Sequence, residues 1–239
     1  MIAVSAFVIV LIGVMIPHLF PSMVYDSLIV RMTRNSYHEV LQHCASGARI
    51  LDVGIGTAAA LLASENANFL VQKNLTVVGI DYDDAYIDTG KHRLASMEDD
   101  KIRDRVALYR KSIYDPDLAP IVGGIDVVYF SGSFTLLPEP GRALTIAAAL
   151  LSTSDRNEKV SGRRRIYITQ TFQRVPSPIT AVVKPLLKYL LRIDFGKLTY
   201  EADLHEILEA FPGRLAEKRS IPGRINTAAQ QAQMIVLEV

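Results

Sequence analysis

An aliphatic run that ends on a pair of glycines constrains this chain more than any other feature. Arg49-Ile50-Leu51-Asp52-Val53 has the composition of a strand, and it leads straight into Gly54-Ile55-Gly56-Thr57-Ala58 and then a helix-like stretch. Glycines at a strand end allow backbone angles that other residues avoid, and they let a ligand approach the main chain where a side chain would collide. A strand, a glycine turn and a helix in that order open a βα unit, the building block of a parallel sheet.

The alternation continues to the end of the chain. Strands are expected at 49–53, 75–80, 106–109, 126–130, 165–171, 215–220 and 234–239, and helices at 58–69, 84–97, 141–151, 179–192 and 202–211. Residues 24–45, with Val24, Leu28, Ile29, Met32, Val40 and Leu41 at near-helical spacing, predict an amphipathic helix or helix pair leading into the fold. The last two strands are separated only by Gly223 and a short polar stretch, which suggests an antiparallel hairpin at one edge. The expected fold is therefore α/β: a doubly wound, mostly parallel seven-stranded sheet with an antiparallel edge hairpin, preceded by an N-terminal hydrophobic helix. Nothing resembles a linker between two cores in the 239 residues, so one domain spanning 22–239 follows a hydrophobic segment at 1–21. The polar run 152–165 reads as a loop.

The second strand, Thr76-Val77-Val78-Gly79-Ile80, ends in Asp81. An acid at that tip is placed to accept hydrogen bonds from a ribose diol. Each residue also has a simpler role open to it: Gly54 and Gly56 in a tight turn, Asp81 as the N-cap of the helix from Ala85, Ser112 and Ser131 as ordinary loop residues.

Taken in order, Asp52-x-Gly54-x-Gly56 and Gly79-Ile80-Asp81 resemble the first two motifs of class I S-adenosylmethionine-dependent methyltransferases. The dinucleotide-binding pattern G-x-G-x-x-G fits less well, because position 59 is Ala. Lys111-Ser112-Ile113-Tyr114-Asp115 after the third strand resembles the third motif. Ser131-Gly132-Ser133-Phe134 with Leu137-Pro138-Glu139-Pro140 resembles the fourth, and Ile166 to Thr171 the fifth strand. The resemblance covers roughly residues 25–239. It implies S-adenosylmethionine as cofactor, held by Asp52, Gly54, Gly56, Thr57, Asp81, Tyr82, Ser112, Ile113 and Ser131. In such enzymes the first acid organises the loop around the methionine portion, the second holds the ribose hydroxyls, and the positions of Ser112 and Ile113 read the adenine edge. This chain departs from the pattern in having Ala58 where a third glycine often stands and Ser112 where Asp is common.

From Met1 to Tyr25 there is no formally charged side chain, and 2–16 is almost continuously apolar. Extended to Phe20, the run reaches the roughly 20 residues needed to cross a hydrocarbon core. No positive n-region and no clear cleavage site mark it as a secretory signal. Arg31 and Arg34 on its C-terminal flank place the domain on the cytoplasmic or matrix side if the segment is a membrane anchor. The alternative is a hydrophobic helix packed on the domain or on a partner protein.

A net charge of +1 gives no electrostatic footprint for nucleic acid. The lone Cys44 excludes an internal disulfide and cysteine-based metal cages, and the five histidines show no paired ligand spacing, so no metal site is expected. Oligomeric state is not encoded in any pattern found.

Methyl transfer from a sulfonium is an in-line displacement that needs positioning more than a fixed triad, so no catalytic residue is assigned. His205, Tyr200 and Tyr25 are candidates for a base, His205 also reading as an exposed helical histidine. The Asn-Pro-Pro-Tyr signature of amide and adenine N-methylation is absent after the fourth strand. The acceptor is expected to be a small molecule or lipid, with specificity in 176–197. There Lys184, Lys188 and Arg192 form a basic stripe beside Val182, Val183, Leu186, Leu187, Leu190 and Leu191. The competing function is an assembly or scaffold subunit of a membrane or organellar complex that keeps this fold with little or no turnover.

Overall fold

A computed structural model describes residues 31–152, 164–173, 201–222, 226 and 230–239. Seven strands form one sheet in the order β3-β2-β1-β4-β5-β7-β6. They are β1 (Arg49–Val53), β2 (Thr76–Asp81), β3 (Val106–Arg110), β4 (Val127–Ser131), β5 (Arg165–Gln173), β6 (Arg214–Ser220) and β7 (Gln230–Glu238). The first five run parallel to one another, and β7 runs antiparallel to both β5 and β6. The helices are α1 (Arg31–His43), α2 (Ser64–Gln72), α3 (Asp84–Ala95), α4 (Asp100–Arg103), α5 (Leu118–Val122), α6 (Pro140–Ser152) and α7 (Glu201–Glu209).

The central strands have no polar face to show, and the structure buries them on both sides: β1, β2 and β4 are buried almost throughout. One apolar layer is filled by Tyr37, Val40 and Leu41 of α1, Leu70 of α2 and Ile87 of α3 against Ile50, Val77 and Tyr129. The other takes Leu118 and Val122 of α5, Leu144 and Leu151 of α6 and Leu204 of α7 against Leu51, Val78 and Phe130. The edge strand β6 is mostly exposed and carries Arg214, Glu217, Lys218 and Arg219, charges that discourage pairing with another chain.

The order reverses between β1 and β4, so a crevice opens at their C-terminal ends, where open α/β sheets bind ligands. The helix after β1 begins at Ser64 rather than at 58. The intervening loop takes positive φ at Gly54 (77°), Gly56 (59°) and Ala58 (55°), angles that no α-helix contains. The short helices α4 and α5 are too brief for an amphipathic period to register in the sequence. The apolar segment 1–21, the expected helix 179–192 and the basic stripe within it lie outside the described residues. Among the described residues no helix is long and apolar enough to cross a membrane.

Ala58 occupies the position where a third glycine is common, and its left-handed backbone explains the preference. An L-residue there costs about 1–2 kcal/mol, which roughly balances the buried methyl and lower chain entropy that alanine contributes. Ala58→Gly should therefore change stability by less than about 1 kcal/mol. Ala147→Gly, at a fully buried site inside α6, should cost about 2 kcal/mol. Urea melts of the two variants check the contrast.

Candidate functional site

Four elements meet at the crevice: the end of β1 with its glycine loop, the tip of β2, the end of β4, and α1 lying across them. Gly54 and Ile55 donate their amides to the Ile80 carbonyl at 2.8 and 3.1 Å, which folds the loop back toward β2. Gly56 then donates to Oδ2 of Asp81 at 3.0 Å, while Oδ1 of Asp81 accepts from the Asp83 amide at 3.0 Å. The N-cap of α3 is Asp83, whose Oδ1 accepts from Ala85 and Tyr86. Asp81 is thus tied to the glycine loop and is not the cap. Arg93 of α3 donates to the Thr57 carbonyl at 2.9 Å, and Gly90 lets that helix come close to the same carbonyl.

Gly54 is fixed by the protein's own packing as well as by its φ. A Cβ there would stand 2.4 Å from Cβ of Ser133, whose hydroxyl donates to the Val53 carbonyl. Gly79 is equally crowded, by Ile55 and Leu108. Ser133 therefore joins the ends of β1 and β4. The signal for it in the sequence is the second serine of Ser131-Gly132-Ser133, after a glycine that takes φ 71°.

Helix α1 docks through Tyr37, Val40, Leu41 and Cys44, an i, i+3, i+4, i+7 face. Polar ties hold it in place. Asn66 donates to the Arg34 carbonyl, Lys73 caps the Leu41 and Gln42 carbonyls, and Arg219 of β6 pairs with Glu39 at 2.7 Å. These ties set the Tyr37 hydroxyl 2.6 Å from Oδ2 of Asp52, with its ring edge-on to Tyr129. Tyr37 was not anticipated, because a tyrosine on the buried face of an amphipathic helix reads as core. A cleft remains between Thr33 and Tyr37 of α1, the loop residues Gly54, Ile55 and Thr57, and Ser131 of β4.

The expected site residues thus fall into two groups. Asp52, Gly54, Gly56, Thr57, Asp81 and Ser131 converge on the loop and cleft. Tyr82, Ser112 and Ile113 stand farther along, at the ends of β2 and β3. Tyr82 is 74% exposed, Ser112 is half-buried in a turn where its amide donates to Asp115, and Ile113 has its side chain in the core. A ligand would meet the Tyr82 ring and the backbone, not the side chain, of Ile113. His205 is on the exposed face of α7, paired with Glu209, so it belongs to the surface. Tyr25 and Tyr200 lie outside the described residues.

Electrostatically the site is short of positive charge. Asp52 and Asp81 are 1% and 7% exposed, and among the described residues no lysine, arginine or histidine forms an ion pair with either. Burial pushes the Asp52 carboxyl up to about 7; the Tyr37 hydrogen bond opposes this and the nearby Asp81 adds to it. Burial also raises Asp81, against the pull of the Asp83 and Gly56 amides. One oxygen of Asp52, Oδ1, is buried with no hydrogen-bond partner among the described residues. A cationic ligand with a vicinal diol would complement this pair of acids, and the open backbone of the loop would admit it closely.

A carboxyl raised in the folded state stabilises the protein below its unfolded value, near 4, and that contribution fades as pH rises through the folded value. With Asp52 near 7, the ligand-free protein should lose on the order of 1 kcal/mol of stability between pH 6 and pH 8 from this group. Asp52→Asn should flatten that slope. Urea titrations at both pH values, on wild type and variant, measure it.

No family model matches the chain, and no curated protein sequence does. Solved structures match over most of its length. A cyclopropane synthase of Mycobacterium tuberculosis superposes with a TM-score of 0.60 at 10% identity, covering 85% of this chain and 83% of that one. A mycolic acid cyclopropane synthase complexed with S-adenosylhomocysteine and the detergent CTAB gives 0.60 at 11% identity, covering 85% and 83%. Geranyl diphosphate C-methyltransferase of Streptomyces coelicolor, in complex with Mg2+, geranyl diphosphate and S-adenosylhomocysteine, gives 0.57 at 10% identity, covering 85% and 79%.

Proposed function

From a chain that has the class I S-adenosylmethionine-dependent methyltransferase fold, we propose an enzyme that binds S-adenosylmethionine at the β1 loop and transfers its methyl group to a small or lipophilic acceptor. The observation that carries this reading is the pair of buried carboxylates, Asp52 and Asp81, without an ion-pair partner among the described residues, flanking a glycine loop at the topological switch point. The cofactor is cationic at its sulfonium and ammonium and carries a ribose diol, which is the complement of that site. When bound it supplies an electrophilic methyl carbon, which passes to a lone pair or π bond of the acceptor.

The chain's own residues bind, orient and exclude water. Asp81 would hold the ribose, with the Gly56 amide fixing its carboxylate; Asp52 would face the positive methionine end. Tyr82, Ser112 and the Ile113 backbone would take the adenine. Thr33, Tyr37 and Ser131 wall the cleft on the β4 side, where an acceptor would approach. The ligands of the two matching structures, S-adenosylhomocysteine in both and geranyl diphosphate in one, support a cofactor of this kind and an acceptor with an apolar body. A scaffold without turnover has no physical need of the two acids, so their presence favours the enzyme. Incubation with methyl-labelled S-adenosylmethionine and a lipid extract tests it. Label should enter the organic phase; its absence, with stoichiometric protein partners co-purifying, would favour the scaffold.

We further propose that residues 1–21 attach the protein to a membrane, with the domain on the cytoplasmic or matrix side. The support is the uncharged run and its flanking Arg31 and Arg34. Carbonate extraction should leave the full-length protein in the membrane pellet, whereas protein lacking 1–21 should stay in solution. Release of the full-length protein by carbonate would refute an integral anchor.

A further inference from the structure

The contact between α1 and β1 carries more than packing. Tyr37 places its hydroxyl 2.6 Å from Oδ2 of Asp52, both side chains being buried. The groups that act on that carboxyl and on its partner come from three elements. Helix α1 presents Tyr37 and β2 presents Asp81 to the carboxyl; β4 presents Ser131 and the edge-on Tyr129 ring to Tyr37, the Tyr129 hydroxyl being engaged with Thr169. None of them is a cation. A buried carboxyl with one hydrogen bond and a second acid nearby favours its neutral form, and a cationic ligand reverses that preference. The bond from Tyr37 acts the other way from burial, since a phenol donating to a carboxylate stabilises the charged form.

We propose that Tyr37 is a positioning residue of the cofactor site, holding Asp52 in the orientation in which it gives up its proton as the cationic cofactor binds. The inference rests on the reading of the site as an S-adenosylmethionine site. On binding, the O–H bond of the Asp52 carboxyl breaks, the proton passes to solvent, and the carboxylate that remains keeps the Tyr37 hydrogen bond and faces the positive charge. Binding is then tied to proton release, and Tyr37 sets the pH at which that release stops being required.

The test is calorimetric titration of the full-length protein with S-adenosylmethionine from pH 5.5 to 9, in buffers of different ionisation enthalpy, which count the protons released. Wild-type affinity should rise about tenfold per pH unit on the acid side, with up to about one proton released, and level off above about pH 7. Tyr37→Phe keeps the ring against Tyr129 and removes only the hydroxyl. Its levelling-off should move up by about one pH unit. Its affinity should be about tenfold weaker at pH 6, about fivefold weaker at pH 7 and much closer to wild type at pH 9. Asp52→Asn should lose the acid limb, separating it from titration of the ligand's own amine.

A Tyr37→Phe curve that runs parallel to wild type, with its midpoint unmoved, overturns the proposal and leaves the cofactor reading standing. Wild-type binding without pH dependence or proton release does the same, and needs no variant to fold. Failure of the wild type to bind at any pH overturns both.

Discussion

Gly54→Ala should destabilise the protein at a cost of about 2–5 kcal/mol. About 1–2 kcal/mol comes from a side chain at φ 77°, and about 1–3 kcal/mol from driving its Cβ into Ser133. For a domain of this size that corresponds to a melting temperature lower by roughly 5–20 °C. Gly141→Ala is the control, because a Cβ there meets nothing within 4 Å; it should move stability by less than about 1 kcal/mol. Combining Gly54→Ala with Ser133→Gly should recover part of the loss, since the clash goes while the backbone strain stays, and the two changes will not add. If Gly54→Ala melts with the wild type, the loop is not folded as described.

Asp81→Ala should weaken S-adenosylmethionine binding by roughly 10- to 150-fold, the 1.5–3 kcal/mol carried by charge-assisted hydrogen bonds to a carboxylate. The upper end is expected, because the same carboxylate also accepts the Gly56 and Asp83 amides and so sets the shape of the loop that would receive the cofactor. Asp81→Asn separates the two contributions. It can retain one backbone bond while losing the negative charge, and should fall between alanine and wild type. Calorimetry on the three proteins reads the series. Equal affinity in all three would remove Asp81 from the site.

How far the sequence carries depends on which interactions are local. The strands β1, β2 and β4 could be read because they are buried on both faces and so are continuously aliphatic. The glycine loop could be read because Gly54 and Gly56 adopt angles that other residues avoid. The start of α2 could not: Ala58 looks like a helix former, and only the loop's need for a third left-handed residue holds it out of a helix until Ser64. Asp83 rather than Asp81 caps α3, a choice between two acids two residues apart that rests on hydrogen bonds to Ala85 and Tyr86. Tyr37 and Ser133 matter through long-range contacts, to Asp52 and to Val53 and Gly54. No periodicity or spacing announces those. His205 is the opposite case, a chemically attractive residue whose helical setting already read as surface, and the fold leaves it there beside Glu209.

The β1 loop with its two buried acids is the proposed site for S-adenosylmethionine. Its most direct test is titration of the wild-type protein with S-adenosylmethionine at pH 8, followed by heat and by thermal shift. The site predicts saturable one-to-one binding that Asp81→Ala weakens by at least about tenfold. No heat and no thermal shift with the wild type would contradict it.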